Sequence, residues 1–186
     1  MNDELVILED TVRASFAGVV WSHKIHEKQA DIYVNNYKTL ETIRIIATAI
    51  TSCGVVSLVF VDELWIKLFS ALISFTAVLI SALFKSFSTQ ELSVTHKRTA
   101  ISLLVIRDKY QHLLMEIRIG QKSYEELNNE YTVLENEKHQ VYADSPATTD
   151  KAVEQARQAL KIKNDNSYSD EETDNFLPNS LRRGGT

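Results

Sequence analysis

"WIKLFSALISFTAVLISALFK" runs from Trp65 to Lys85, and between Lys67 and Lys85 it holds no charged residue. A second apolar stretch, "IIATAITSCGVVSLVFV" from Ile45 to Val61, ends shortly before it. The fold depends on whether these stretches cross a membrane or form the buried centre of a small helical bundle. A surface helix of a soluble protein carries one apolar stripe and one charged face. Neither stretch has a charged face. Burying both would need several more amphipathic helices around them, which a chain of 186 residues can barely provide. The membrane reading is therefore the working one.

Length supports it. Each apolar core is about 17 residues, or roughly 25 Å of helix, and a hydrocarbon core of about 30 Å asks for close to 20 residues. The flanks supply the difference. Ile43 extends the first segment beyond Arg44, whose long stem can reach the headgroups. Leu64, Trp65 and Ile66 extend the second, with Trp65 where an interfacial aromatic belongs. Lys38 and Arg44 precede the first segment, and Lys85, Lys97 and Arg98 follow the second. The connecting "DELWIK" holds only Lys67, beside Asp62 and Glu63. The excess of basic residues on the outer flanks predicts two spans, with both termini in the cytoplasm and the tight turn outside.

The remaining composition excludes several classes. Mean hydropathy is mildly negative only because charge-rich flanks dilute the apolar centre. Two prolines and five glycines permit long helices. A net charge of −5 gives no basic face, so no nucleic-acid partner is expected. The single cysteine, Cys53, has neither a disulfide partner nor neighbouring zinc ligands, and reads as a small packed hydrophobe. The start "MNDELVILED" is acidic where a signal peptide would be basic.

The flanking parts read as helix. Residues 1–42 are expected to form N-terminal cytoplasmic helices, with Gly18 marking a break between a short first helix and a second that feeds the first span. Ala30, Tyr33, Tyr37 and Leu40 recur there at helical spacing, with His26 and Arg44 at the ends of the same stripe. Residues 43–87 form the hairpin. Residues 88–163 form a cytoplasmic helical region. "STQE" at Ser88 to Glu91 has capping-box spacing, and the helix it opens should stop at Gly120. Its apolar residues include Val94, Ile101, Val105, Leu113 and Ile117, with Tyr110 nearby. "SYEE" at Ser123 to Glu126 opens the next helix, antiparallel to the last across a short turn. Tyr124, Leu127, Tyr131 and Leu134 follow at 3-4-3 intervals, a seam for an oligomer or a partner. Ser145-Pro146 has the chemistry of a further helix start. Residues 164–186 have little to bury and read as a disordered tail. The expected fold class is all-α: a two-span transmembrane hairpin with long cytoplasmic helices.

No catalytic motif emerges, and no cofactor or enzymatic activity is expected. "HKIHE" puts His23 and His26 three apart, a spacing that can hold a metal, but no third ligand is evident. His96, His112 and His139 are scattered through the chain. The informative polar residues lie inside the apolar segments. Ser70, Ser74, Ala77 and Ser81 fall on one helix face, and Thr48, Thr51 and Ser52 make a broader one, opposite Ser57. Such faces allow two readings: close packing by small residues, or a hydroxyl-lined pore. Two helices cannot enclose a channel in one copy, so the pore reading requires a homo-oligomer.

"WSHKIHEKQADIYVNNYKTLETIRIIATAI" resembles the opening of the SLATT domain, with its tryptophan, charged helix, alanine and tyrosines running into a first span. "STQELSVTHKRTAISLLVIRDKYQHLLMEI" resembles that family's helix after the membrane. The resemblance covers roughly Val12 to Tyr142 and is largely architectural. It implies a two-span effector of bacterial conflict systems, associated with nucleotide-second-messenger synthetases, nucleotide-sensing domains or reverse transcriptases. It further implies an antiviral, abortive-infection role through membrane pores that stop growth or kill the infected cell. A nucleotide messenger or a cytoplasmic signalling partner would trigger it. The alternative function is a membrane anchor that recruits a cytoplasmic partner through its C-terminal helices.

Overall fold

The structure, a computed structural model, describes residues 3–57, 63–86, 89–162, 165, 169–178 and 182. All its regular elements are helices: α1 Asp3–Ser57, α2 Leu64–Ser86, α3 Thr89–Ile119, α4 Tyr124–Ala143, α5 Asp150–Lys161 and α6 Asp170–Phe176.

The sequence sets most helix ends locally. Ile119 is followed by Gly120 at φ 69°, the left-handed conformation that glycine adopts without penalty, and its N–H returns to the Glu116 carbonyl. Ser123 then caps α4. Its hydroxyl accepts from the Glu126 N–H, and the Glu126 carboxylate accepts from the Ser123 N–H. Arg118 stands in the last turn of α3, where a cation suits the helix dipole.

The pairing of residues fixes the layout. Glu9 meets Arg118, His23 meets Ala100, His26 meets His96 and Ala30 meets Ser93, so α1 and α3 run antiparallel. Lys109 meets Glu137 and Lys122 meets Glu130, so α3 and α4 are antiparallel, the pair expected from the short turn. Ser15 meets Tyr131 and Glu135, and Ser22 meets Tyr142, so α4 runs parallel to α1. The N-terminal part of α1, α3 and α4 thus form a three-helix bundle. Leu8, Val12 and Val19 of α1, Leu103, Ile106, Tyr110, Leu113 and Ile117 of α3, and Leu127 and Leu134 of α4 fill its core. Within that core, Glu135 ties all three helices together. It accepts from Ser15 of α1, Tyr110 of α3 and Lys138 of α4. Burial alone would raise its pKa, but these donors outweigh burial and lower it to about 2. Burial, and then the Glu135 carboxylate, raise the Tyr110 phenol.

Helix α5 lies against α1 through Ala152, Ala156 and Ala159, all buried. The Thr149 N–H and hydroxyl both donate to Gln29 Oε1 at 2.8 Å, which locks the start of α5 onto α1.

Several expectations need correction. No break occurs at Gly18, and α1 is one helix of 55 residues. A mid-helix glycine costs only about 1 kcal/mol, and buried Val12 and Val19 hold both sides of it in the same core. Helix α5 starts at Asp150, capped by Thr149, and not at Ser145-Pro146. Ser145 instead donates to the Val141 carbonyl and closes the end of α4. The α3 residues divide: Tyr110, Leu113 and Ile117 face the core, while Val94, Ile101 and Val105 are exposed. The stretch expected as a disordered tail contains α6, whose N-cap Ser169 forms a capping box with Glu172. Ser88 and the turn at 58–62 lie outside the described residues, as does the Cys53 side chain.

Candidate functional site

Helix α2 turns its apolar residues outward. Leu64–Ala82 is long and apolar enough to cross a membrane, with a mean hydropathy of 1.9, yet only 6% of that window is buried. Trp65 is 80% exposed, and Leu68, Phe69, Leu72, Phe75, Val78 and Leu79 all face away from the rest of the chain. It is the one such candidate among the described residues. The two-span hairpin is therefore described for one span. The other expected span, from Ile43, is helical through Ser57 as the end of α1, and residues 58–61 lie outside the described residues. Ile43, Ile45, Ile46 and Ile50 on that part are exposed as well.

The hydroxyl residues fall into two groups. On α2, Ser70 is buried, and Ser74 and Ala77 are half-buried along with Ile66, Ile73 and Ile80. That stripe is the sheltered side of a helix whose packing partner is α1. Thr51 on α1 is half-buried with Ala47 and Arg44. Thr48, Ser52 and Ser81 are exposed. The hydroxyls bond back into their own helices. Thr48 donates to the Arg44 carbonyl, Thr51 to Ala47, Ser52 to Thr48, Ser74 to Ser70 and Ser81 to Ala77, all at 2.8–2.9 Å. Such bonds satisfy the donor inside the helix, which makes the side chain tolerable in an apolar medium.

The α4 seam is engaged within the chain. Leu127 and Leu134 are buried in the bundle core, and Tyr124 and Tyr131 pack against it. The face expected to serve an oligomer or a partner packs here in the core of its own chain.

One cluster went unrecognised in the sequence. Between the apolar core and the ends of α1 and α3 that lead to α2, the contacts become polar. The His23 Nδ1–H donates to the Ala100 carbonyl at 2.8 Å. His26 Nδ1 and His96 Nδ1 lie 2.9 Å apart. Tyr33 stacks on His96 with ring centroids 5.5 Å apart. The Ser93 hydroxyl donates to the Ala30 carbonyl at 3.2 Å. His96 is 0% exposed, and its Nε2 has no hydrogen-bond partner among the described residues; the same holds for Gln29 Nε2. Burial lowers the pKa of both His26 and His96, His26 to about 4, and the other histidines add to the His26 shift. Lys24, close by and buried, bonds Glu27 at 3.0 Å and Asp165 at 3.3 Å. His26 and His96 lie 70 residues apart in the chain. Only the antiparallel pairing of α1 and α3 could have brought them together on paper. Among the described residues no group of three His, Cys, Asp or Glu could hold a metal ion.

A groove of about 550 Å³ between α3 and α4 is floored by Val105, Leu113, Val133 and Leu134. Its charged rim is paired internally, Lys109 with Glu137 and Lys122 with Glu116 and Glu130.

The family model described as SMODS and SLOG-associating 2TM effector domain family 4 matches residues 8–172, which includes every buried residue of the bundle core and both apolar segments. No curated protein and no solved structure matches the chain.

Proposed function

The chain belongs to the SMODS and SLOG-associating 2TM effector domain family, and from that premise we propose that it is a two-span inner-membrane effector of a bacterial antiviral defence system, which assembles into a homo-oligomeric pore when an upstream signal arrives. The observation that carries the reading is the outward apolar surface of α2. Apolar side chains that face away from every other helix need a non-aqueous surround, because contiguous exposed apolar surface of this extent is unfavourable in water.

Topology supports two crossings. The early part of α1 and all of α3 pack in one bundle, so they lie on one side of the membrane. If α2 crosses, the chain between that bundle and α2 must cross back, and residues 43–61 are the apolar stretch available for it. The basic flanks support the cytoplasm as that side, with both termini in it.

The hydroxyl residues then separate into two sets. Ser70, Ser74 and Thr51 pack α2 against α1 within a copy. Thr48, Ser52 and Ser81 face outward and are available to line a path between copies. A signalling partner or nucleotide messenger would have to bind the open assembly better than the closed one to shift it. The alternative, an anchor recruiting a partner through the α4 seam, finds little support, because that seam is engaged in the bundle.

Dye uptake and membrane potential in cells that express the chain with its neighbouring genes test the proposal. Uptake that Ser81→Leu abolishes, while a cross-linking ladder persists, is the expected result. Cells that stay sealed and polarised at full expression under infection would overturn it.

A further inference from the structure

We propose that the His26–His96 pair is an acid-released latch between α1 and α3, closed while at least one of the facing Nδ1 atoms is unprotonated and opened when both rings become cations. The geometry dictates the logic. Two imidazole nitrogens 2.9 Å apart can share only one proton between them. With a proton on each, two N–H groups and two positive charges face one another, and the bond cannot exist.

The surroundings oppose the first added charge as well. His96 is fully buried and His26 nearly so. The titratable and charged groups around the pair are His23, Lys24, Glu27 and Tyr33 of α1, Lys97 of α3, and Asp165 beyond α5. Of the two carboxylates, Glu27 bonds Lys24 and lies 3.9 Å from Lys97, and Asp165 bonds Lys24. Neither bonds either ring, so an imidazolium here would lack a counter-charge in contact. Burial accordingly depresses both rings. The bare His96 Nε2 fits the same picture. If the His96 Nδ1–H is the donor to His26, Nε2 is an unpaired acceptor, which is less costly than an orphaned N–H.

The position gives the latch its consequence. It joins the helix that continues into the first apolar segment to the helix that follows the second. Its opening would free the membrane-directed ends of α1 and α3, while the apolar core below and the Glu135 network keep the bundle assembled.

Distances between spin labels test it on the full chain in nanodiscs, in a Cys53→Ala background. The reporter pair is Asn35→Cys with Val94→Cys, beside the latch. The control pair is Arg13→Cys with Gln111→Cys, beside the apolar core. As pH falls, the reporter distance should lengthen and broaden, with a midpoint between the free histidine value of 6.5 and the His26 value of about 4. The control distance should hold. The change should vanish in the His26→Gln/His96→Gln variant, whose amides can still bond but do not titrate. A reporter distance that ignores pH, or an identical acid response in the double variant, would overturn the latch. If that variant does not fold, histidine NMR on the unaltered side chains decides. Both rings should remain neutral at pH 6, and titration of either at its ordinary value would overturn the proposal.

Discussion

The bundle core and α2 are both rich in leucine, isoleucine, valine and phenylalanine or tyrosine, yet they direct these side chains in opposite senses. Leu103 and Leu127 have no exposed surface, and their neighbours from three helices enclose them. Leu72 and Phe75 on α2 are more than 60% exposed. The same chemistry placed inward in one region and outward in the other indicates two different solvents. The bundle excludes water by packing against itself; α2 has almost nothing of its own chain to pack against except one narrow stripe toward α1.

The difference can be broken most severely at the core. Leu103→Ala should cost about 2–5 kcal/mol, since it removes a fully enclosed side chain and leaves a cavity. Leu72→Ala, the same change on α2, should leave the stability of the bundle unaltered. Denaturant titration in detergent, followed by amide exchange on α3 and α4, distinguishes the two. Equal losses would mean that α2 belongs to the same core.

Acid should sharpen the contrast next. His26 is neutral in the folded chain down to about pH 4, whereas the unfolded chain takes up that proton near 6.5. The unfolded state therefore binds more protons between these values, and stability present above pH 6.5 is lost as pH falls toward 4. The slope is about 1.4 kcal/mol per pH unit for each such ring. Glu135, with its value lowered to about 2, yields its own contribution only in a lower window, below its ordinary 4.5. A stability profile flat between pH 7 and 4.5 would contradict the burial of the pair.

The smallest effect is expected at α5. Thr149→Ala removes the cap and one of the two bonds to Gln29, at about 1 kcal/mol. It should raise amide exchange in α5 and leave the bundle core protected. A global loss of protection would show that α5 is integral to the core.

Much of this was legible in the residues. The Gly120 stop and the Ser123–Glu126 capping box are local chemistry, so four consecutive residues suffice to read them. The apolar segments were legible because their lack of a charged face is a property of each segment alone. What failed was anything that needed to know a partner. The 3-4-3 seam of α4 specifies a face but not which chain it meets. Gly18 offered a local break that shared burial of its flanks overrode. Ser145 and Thr149 are both good caps, and only Gln29, 120 residues away, chose between them. His96 was invisible for the same reason: a histidine in α3 acquires meaning only when α1 folds back beside it.

The central claim is that the outward face of α2 meets lipid. Spin labels placed singly at Leu72, Phe75, Val78 and Leu79 in bilayers, with Val94 and Ile101 of α3 as exposed apolar references in the bundle, test it directly through collisions with oxygen and with a water-soluble nickel complex. The account predicts high oxygen and low nickel accessibility at all four α2 sites, and the reverse at the two α3 sites. High nickel accessibility along α2 would contradict it.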